Sequence, residues 1–206
     1  MPKDLFFTIN KEKKDRIIEA AITEFSHQMY DKASINQIIK EADISRGSFY
    51  QYFENKEDLY FFLINTIVKS TSYNFLKAFI ATQPKDIFSV YKALLTYNLQ
   101  LLSDEKYQAF FKNMYLSMNY HLQQELRTIF SAIRNEMFEG KFDKLQEESG
   151  YEGPYFQQLM NILELNNRDL LMLYISDAID INIIMEIYQL RMQVLHGDKN
   201  VKRSET

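Results

Sequence analysis

Apolar residues at Ile17, Ala21, Phe25 and Met29 recur every four positions, with Ile18 and Ile22 beside them. That spacing draws one face of a helix from about Glu12 to Tyr30. Ser34 follows, with Gln37 three residues on, at the spacing of a capping box. It opens a short helix that turns Ile35, Ile38, Ile39 and Ala42 inward, and Asp43-Ile44 makes a brief turn after it. Ser45 is a second N-cap, for another short helix through Phe53. Asn55, with Asp58 three residues on, is a third, and starts a long helix towards Ala81. A helix of two turns is unstable alone, so three caps within 22 residues predict a compact three-helix unit over residues 1–55.

Pro84 marks the next break. Beyond it Ile87, Tyr91, Leu94, Leu95, Asn98 and Leu102 trace a helix, and another runs from about Lys106 to Met118. Leu122, Leu126, Ile129, Ile133, Met137 and Phe142 trace a further one, and Gly150 to Pro154 is the clearest loop. Two last helices are predicted, about Tyr155–Leu165 and Arg168–His196. The second is apolar on two sides. Ile175, Ile179, Ile183, Ile187 and Leu190 make one stripe, and Tyr174, Ile181, Ile184, Tyr188 and Leu195 make the other. A helix with two apolar faces is buried on both. One face can serve its own domain and the other a symmetry mate, which makes Tyr174, Ile181, Ile184, Tyr188 and Leu195 the candidate dimer interface. The competing reading is the buried central helix of a monomer. Asp177, Asp180 and Asn182 interrupt the stripe without an evident role.

Composition supports this helical picture. Gly and Pro together number eight, and before Gly140 the sole glycine is Gly47, too few turn residues for many tight hairpins. The fold class is therefore all-α: an N-terminal three-helix helix-turn-helix domain, 1–55, joined by a long helix to a larger helical domain, 56–206, that carries the candidate dimerisation stripe. The absence of cysteine rules out disulfides and thiolate metal sites. The first 14 residues lack the pattern of a signal peptide, and no apolar run approaches the roughly 18 residues of a membrane span. The expectation is a soluble, cytoplasmic protein with no membrane partner.

Enzyme chemistry finds no foothold. The histidines, His27, His121 and His196, are far apart and lack a metal-binding helical spacing. Neither a phosphate-cradling loop nor a nucleophile elbow occurs, so no catalytic, metal or cofactor site is expected.

The second and third short helices form a helix-turn-helix pattern. In Ser45-Arg46-Gly47-Ser48-Phe49-Tyr50-Gln51-Tyr52-Phe53, Phe49 and Phe53 lie four apart and face inward. Arg46, Ser48 and Gln51 then point outward, flanked by Tyr50 and Tyr52. Gly47 lets a nucleic-acid backbone come close. Arginine suits guanine and glutamine suits adenine in the major groove, serine and tyrosine hydroxyls bond phosphates, and Lys56 can add another phosphate contact. Charge gives no independent support: the net charge is −4, and residues 1–60 carry nine Lys/Arg against eleven Asp/Glu. That balance predicts weak non-specific binding and strong salt dependence.

Residues 14–64, from Lys14-Asp15-Arg16-Ile17-Ile18-Glu19-Ala20-Ala21 through Glu54-Asn55-Lys56-Glu57-Asp58-Leu59, resemble the DNA-binding domain of TetR-family repressors. The resemblance implies a homodimer whose recognition helices enter successive major grooves of a near-palindromic, double-stranded operator. It also implies a divergent C-terminal domain that binds a small molecule. By motif position it places DNA contacts on Ser34, Asn36, Arg46, Gly47, Ser48, Tyr50, Gln51, Tyr52 and Lys56. Met29 and Asp43 stand where the family commonly has glycine, and Tyr52 where it commonly has histidine. Asp is among the few residues that tolerate a left-handed backbone.

Phe110, Phe111, Met114, Tyr115, Met118, Tyr120 and His121 form the densest aromatic cluster with polar handles. They are the candidate lining for an apolar or aromatic effector, against the alternative of ordinary core packing. Function is thus expected to be ligand-responsive repression. The alternatives are a DNA-binding regulator without a small-molecule ligand and a helical interaction module that does not bind DNA.

Overall fold

The computed structural model describes residues 2–81, 86–117, 119–137, 141–176 and 179–195. Among the described residues every regular element is helical: α1 (Asp4–Thr8), α2 (Lys11–His27), α3 (Ile35–Glu41), α4 (Arg46–Tyr52), α5 (Lys56–Ala81), α6 (Ile87–Ser103), α7 (Gln108–Leu116), α8 (Tyr120–Met137), α9 (Lys141–Ser149), α10 (Gly153–Ser176) and α11 (Ile181–Leu195). The chain forms two compact units, Met1–Ala78 with Leu101–Glu139, and Phe79–Gln100 with Gly140–Thr206.

In the first unit, α2 starts where Asn10 Oδ1 accepts the Lys13 amide at 2.8 Å. Ile17, Ala21 and Phe25 are buried along it as their spacing predicts. The helix stops at His27, one turn early, and Met29 is exposed rather than turned inward. Asn113 of α7 explains the stop: its Nδ2 donates to the carbonyls of Phe25 and Ser26 at 3.1 and 2.8 Å, satisfying acceptors that a helix end leaves open. At α3, Ile38 and Ala42 are fully buried, but Ser34 forms no side-chain cap. The Ser34 amide instead donates to Glu24 Oε1 at 2.7 Å, so a carboxylate ten residues earlier takes the part expected of the capping box.

The α3–α4 turn follows expectation. Asp43 has φ +50°, the left-handed region anticipated from its residue type. Ser45 Oγ accepts the Ser48 amide at 3.0 Å and starts α4. Asn55 Oδ1 accepts the Asp58 amide at 2.9 Å, and Asp58 Oδ2 accepts the Glu54 amide at 3.1 Å, so α5 opens on reciprocal caps.

Helix α1 was not legible in the sequence. It packs against α4 with Phe6 fully buried, its ring centroid 4.8 Å from Phe53, 5.3 Å from Phe62 and 6.1 Å from Tyr52. On the other side of the unit α7 packs on α2, and Phe110 meets Phe25 at 6.3 Å and Tyr60 at 5.9 Å. Phe110, Phe111 and Met114, expected as effector lining, are buried, with both phenylalanines in ring contacts. Tyr115 is half-buried, Tyr120 is 78% exposed, and His121 is exposed with its Nε2 2.9 Å from Glu57 Oε1. Met118 lies outside the described residues.

In the second unit, the break expected near Asn166 does not occur. Asn167 Nδ2 donates to the Tyr91 carbonyl at 2.8 Å, and a side chain satisfied in this way lets α10 run on to Ser176. Of the expected helix through Phe142, α8 is described to Met137 and α9 from Lys141, and residues 138–140 lie outside the described residues. The final stripe is also divided, because Asp180 begins α11: its Oδ1 accepts the Asn182 amide at 2.8 Å. Tyr174 thus sits on α10 and the remaining candidates of the stripe on α11.

Ile184 (0% exposed) and Tyr188 (2%) are core of their own chain, and the Tyr188 hydroxyl donates to the Phe88 carbonyl at 2.9 Å. Burial raises the pKa of that hydroxyl first, and the charge of Asp86 adds to it. Tyr174 and Ile181 are half-buried, and Leu195 alone of the five is exposed. Besides Leu195, α11 turns Ile183, Leu190 and Val194 outward, and these three share a face, one helical turn or two apart. Helix α10 adds exposed Ile162 and Leu165.

Candidate nucleic-acid interface

The inner side of α4 is sealed. Phe49 and Phe53 have no exposed surface, and their rings meet at 5.6 Å. With that side fixed, a seven-residue helix has one outward face. Arg46, Gly47, Tyr50 and Gln51 are exposed on it, and Ser48 is half-exposed with its Oγ 2.9 Å from Ser45 Oγ. Asn36, exposed on α3, adjoins this face through its Oδ1, which accepts from Arg46 Nη1 at 2.7 Å. Ser34, also exposed, lies at the start of the same short helix.

Two expected contacts are placed differently. Tyr52, expected to flank the outward face, is 4% exposed, covered by the Phe6 ring of α1, with Lys13 Nζ 5.4 Å from its own ring centroid. Lys56 is the expected phosphate contact. Its Nζ instead donates to the carbonyls of Tyr30, Asp31 and Ala33 at 2.6, 3.3 and 2.9 Å, and lies 4.7 Å over the Tyr30 ring. Lys56 thus clamps the segment between α2 and α3. Burial there lowers its pKa, against the opposing charges of Asp31 and Glu24. Burial, then the charges of Glu57 and Asp31, pushes the Tyr30 hydroxyl up to about 12, so Tyr30 keeps its proton near neutral pH.

The family model of bacterial regulatory proteins of the tetR family matches residues 17–61, and that of the tetracyclin repressor-like C-terminal domain matches residues 86–196. The chain belongs to the TetR family. The first match takes in α3, α4 and the turn between them, and the second takes in α6 through α11.

Among curated TetR-type relatives, the uncharacterized HTH-type transcriptional regulator YuxN of Bacillus subtilis is 28% identical over 155 residues, covering 75% of this chain and 52% of its own length. IcaR of Staphylococcus epidermidis, the HTH-type negative transcriptional regulator of the biofilm operon icaADBC, is 25% identical over 130 residues, or 60% of this chain and 66% of its own. The chain therefore spans about half the length of one and just under two thirds of the other. The solved structure of the fatty acid degradation regulator FadR from Bacillus halodurans shares the fold, with TM-score 0.58 and 20% identity over 85% of this chain and 96% of its own.

Within this TetR fold, α1 and the start of α2 bring cations to α4 that no motif in the sequence marks. Lys3 Nζ donates to the Tyr50 carbonyl at 2.9 Å, and Lys13 lies over Tyr52. The run Lys11, Lys13, Lys14 was visible in the sequence. What hid its relevance was a five-residue helix too short to show a period. No group of three or more His, Cys, Asp or Glu able to hold a metal occurs among the described residues, and no helix there is long and apolar enough to cross a membrane.

Proposed function

We propose that the protein is a DNA-binding transcription regulator acting as a homodimer, with α4 entering the major groove of each half of a near-palindromic operator. The observation that carries this reading is the division of α4 into a sealed back, Phe49 and Phe53, and an outward face bearing Arg46, Gly47, Tyr50 and Gln51. A major groove about 12 Å wide admits such a helix. Arg46 and Gln51 supply base-edge contacts. Ser34, Ser48 and Tyr50 contact phosphate, helped by Lys3 and Lys13.

Gly47 supports the assignment. A Cβ there would meet only Ser45 Oγ, at 3.8 Å, so nothing inside the chain demands glycine. Glycine in a helix costs roughly 0.5–1 kcal/mol relative to alanine, so its advantage lies with what approaches from outside. Gly47→Ala is expected to raise thermal stability slightly while weakening DNA binding. Thermal unfolding and DNA titration read the two opposite signs, and a gain or loss in both together counts against the role.

The homodimer is assigned to the outward apolar faces of α10 and α11. Two such units must match half-sites about 34–36 Å apart. We further assign the output as repression relieved by an effector bound in the C-terminal region. An effector that favours the mismatched spacing weakens DNA binding, and DNA weakens effector binding by the same factor. Because Phe110, Phe111 and Met114 are spent on core, the effector site is sought elsewhere. One opening in the second unit is a groove of about 380 Å³ bordered by Phe88, Lys92, Tyr188 and Met192.

Selection of bound sequences from a random duplex pool tests the proposal. A two-fold symmetric motif is the expected product, and a bound pool indistinguishable from the input would sink the DNA reading. Repeating the binding with small-molecule extracts tests relief: an unchanged affinity throughout removes the effector and leaves a regulator controlled by other means.

A further inference from the structure

We propose that Asn36 sets the base preference of the α4 face through Arg46, as a positioning residue, and does not read a base on its own account. The inference rests on the reading of α4 as the groove-entering helix.

Three side chains from two helices carry it. Arg46 Nη1 donates to Asn36 Oδ1 at 2.7 Å, Arg46 Nη2 donates to the Tyr50 hydroxyl at 3.3 Å, and the guanidinium carbon lies 5.5 Å from the Tyr50 ring centroid. A guanidinium has five N–H donors and no acceptor. The atom of Asn36 that faces it must therefore be the oxygen, and the amide nitrogen is turned away. An asparagine that reads adenine needs both atoms, the oxygen for N6–H and the nitrogen for N7. The charged Arg46 donor already holds that oxygen, so the amide is oriented for Arg46 and not for a base.

Around the Arg46–Asn36 pair the groups left over are donors: the Asn36 amide N–H groups and the three Arg46 N–H groups not bonded to Asn36 or Tyr50. In the major groove guanine offers two adjacent acceptors, N7 and O6, whereas adenine and cytosine each present a donor amino group. This local cluster of donors fits guanine and leaves the amino groups of adenine and cytosine unpartnered. Both of these partners of Arg46 are neutral, so its charge is not cancelled by them. The bond to Asn36 also links α3 to α4, so the guanidinium is held from outside its own helix and arrives with its fork oriented.

The test is selection from a random duplex pool with the full-length protein and with Asn36→Ala, Asn36→Asp and Arg46→Ala, at one salt concentration. The wild-type sites are expected to hold guanine at one position of each half-site. Arg46→Ala should erase that preference. Asn36→Ala should reduce it about tenfold at the same position and leave the others alone. Asn36→Asp keeps an oxygen facing the guanidinium and should retain the guanine even as overall affinity falls. The proposal is overturned if Asn36→Ala changes preference at a position different from Arg46→Ala, since Asn36 would then read its own base, or if it changes none. A wild-type pool with no shared motif is a different result: it defeats the DNA-reading assignment itself.

Discussion

Phe110→Ala is expected to lower the unfolding free energy by about 3–5 kcal/mol, the range for emptying a buried aromatic site. Phe110 has no exposed surface and touches the rings of Phe25, Tyr60 and Phe111 from three elements, α2, α5 and α7. None of these can close the gap without moving a helix. Tyr120→Ala, a few residues on but 78% exposed, should stay within about 0.5 kcal/mol of wild type. Urea unfolding of the two variants separates the roles directly. If Phe110 lined an effector cavity, its truncation would enlarge an existing space and cost little. A loss under about 1 kcal/mol would return this cluster to the candidate ligand site.

The larger effect on function is expected from Leu190→Asp combined with Val194→Asp. These side chains are 62% and 69% exposed and lie one turn apart on α11. A monomer carrying the two aspartates keeps its core, because neither position contributes to it. A dimer that buries them must desolvate four carboxylates, which costs several kcal/mol per ion without a partner. Sedimentation should therefore show a monomer of unaltered helicity. Operator affinity should fall on the order of 10²–10⁴-fold, because the second half-site contact is no longer made by a tethered partner. Sedimentation of the variant as an intact dimer would place the interface elsewhere.

The parts of the fold visible in the sequence were those whose causes are local. Ser45 and Asn55 cap from three residues away, and Asp43 occupies a backbone region open to few residue types. The inner pair Phe49 and Phe53 followed from helical spacing alone. The misreadings share a different cause, a distant partner. Glu24 took the Ser34 amide that a capping box would have left to α3 itself. Asn167, which looks like a helix end beside Asn166, is satisfied by the Tyr91 carbonyl across the second unit.

Tyr52 and Lys56 moved from the expected reading face because α1 and the α2–α3 segment supply partners that no spacing announces. Ile184 and Tyr188 are core of their own chain, and the exposed apolar side chains of α11 lie on another face of the same helix, a division that two apolar stripes in sequence do not resolve. An aromatic cluster such as Phe110, Phe111 and Met114 reads alike as core or cavity, and only its contacts decide.

The reading face itself is tested most directly by titrating the duplex selected by the wild-type protein with Arg46→Ala/Gln51→Ala. Both residues are exposed, so the variant should unfold at nearly the wild-type temperature. Each lost base contact is worth about 1–3 kcal/mol, and each occurs twice in a dimer. Affinity for the selected duplex should collapse to that for random DNA while the salt-dependent background binding stays. Wild-type discrimination between the two duplexes by a folded variant would contradict the claim that this face of α4 carries the recognition.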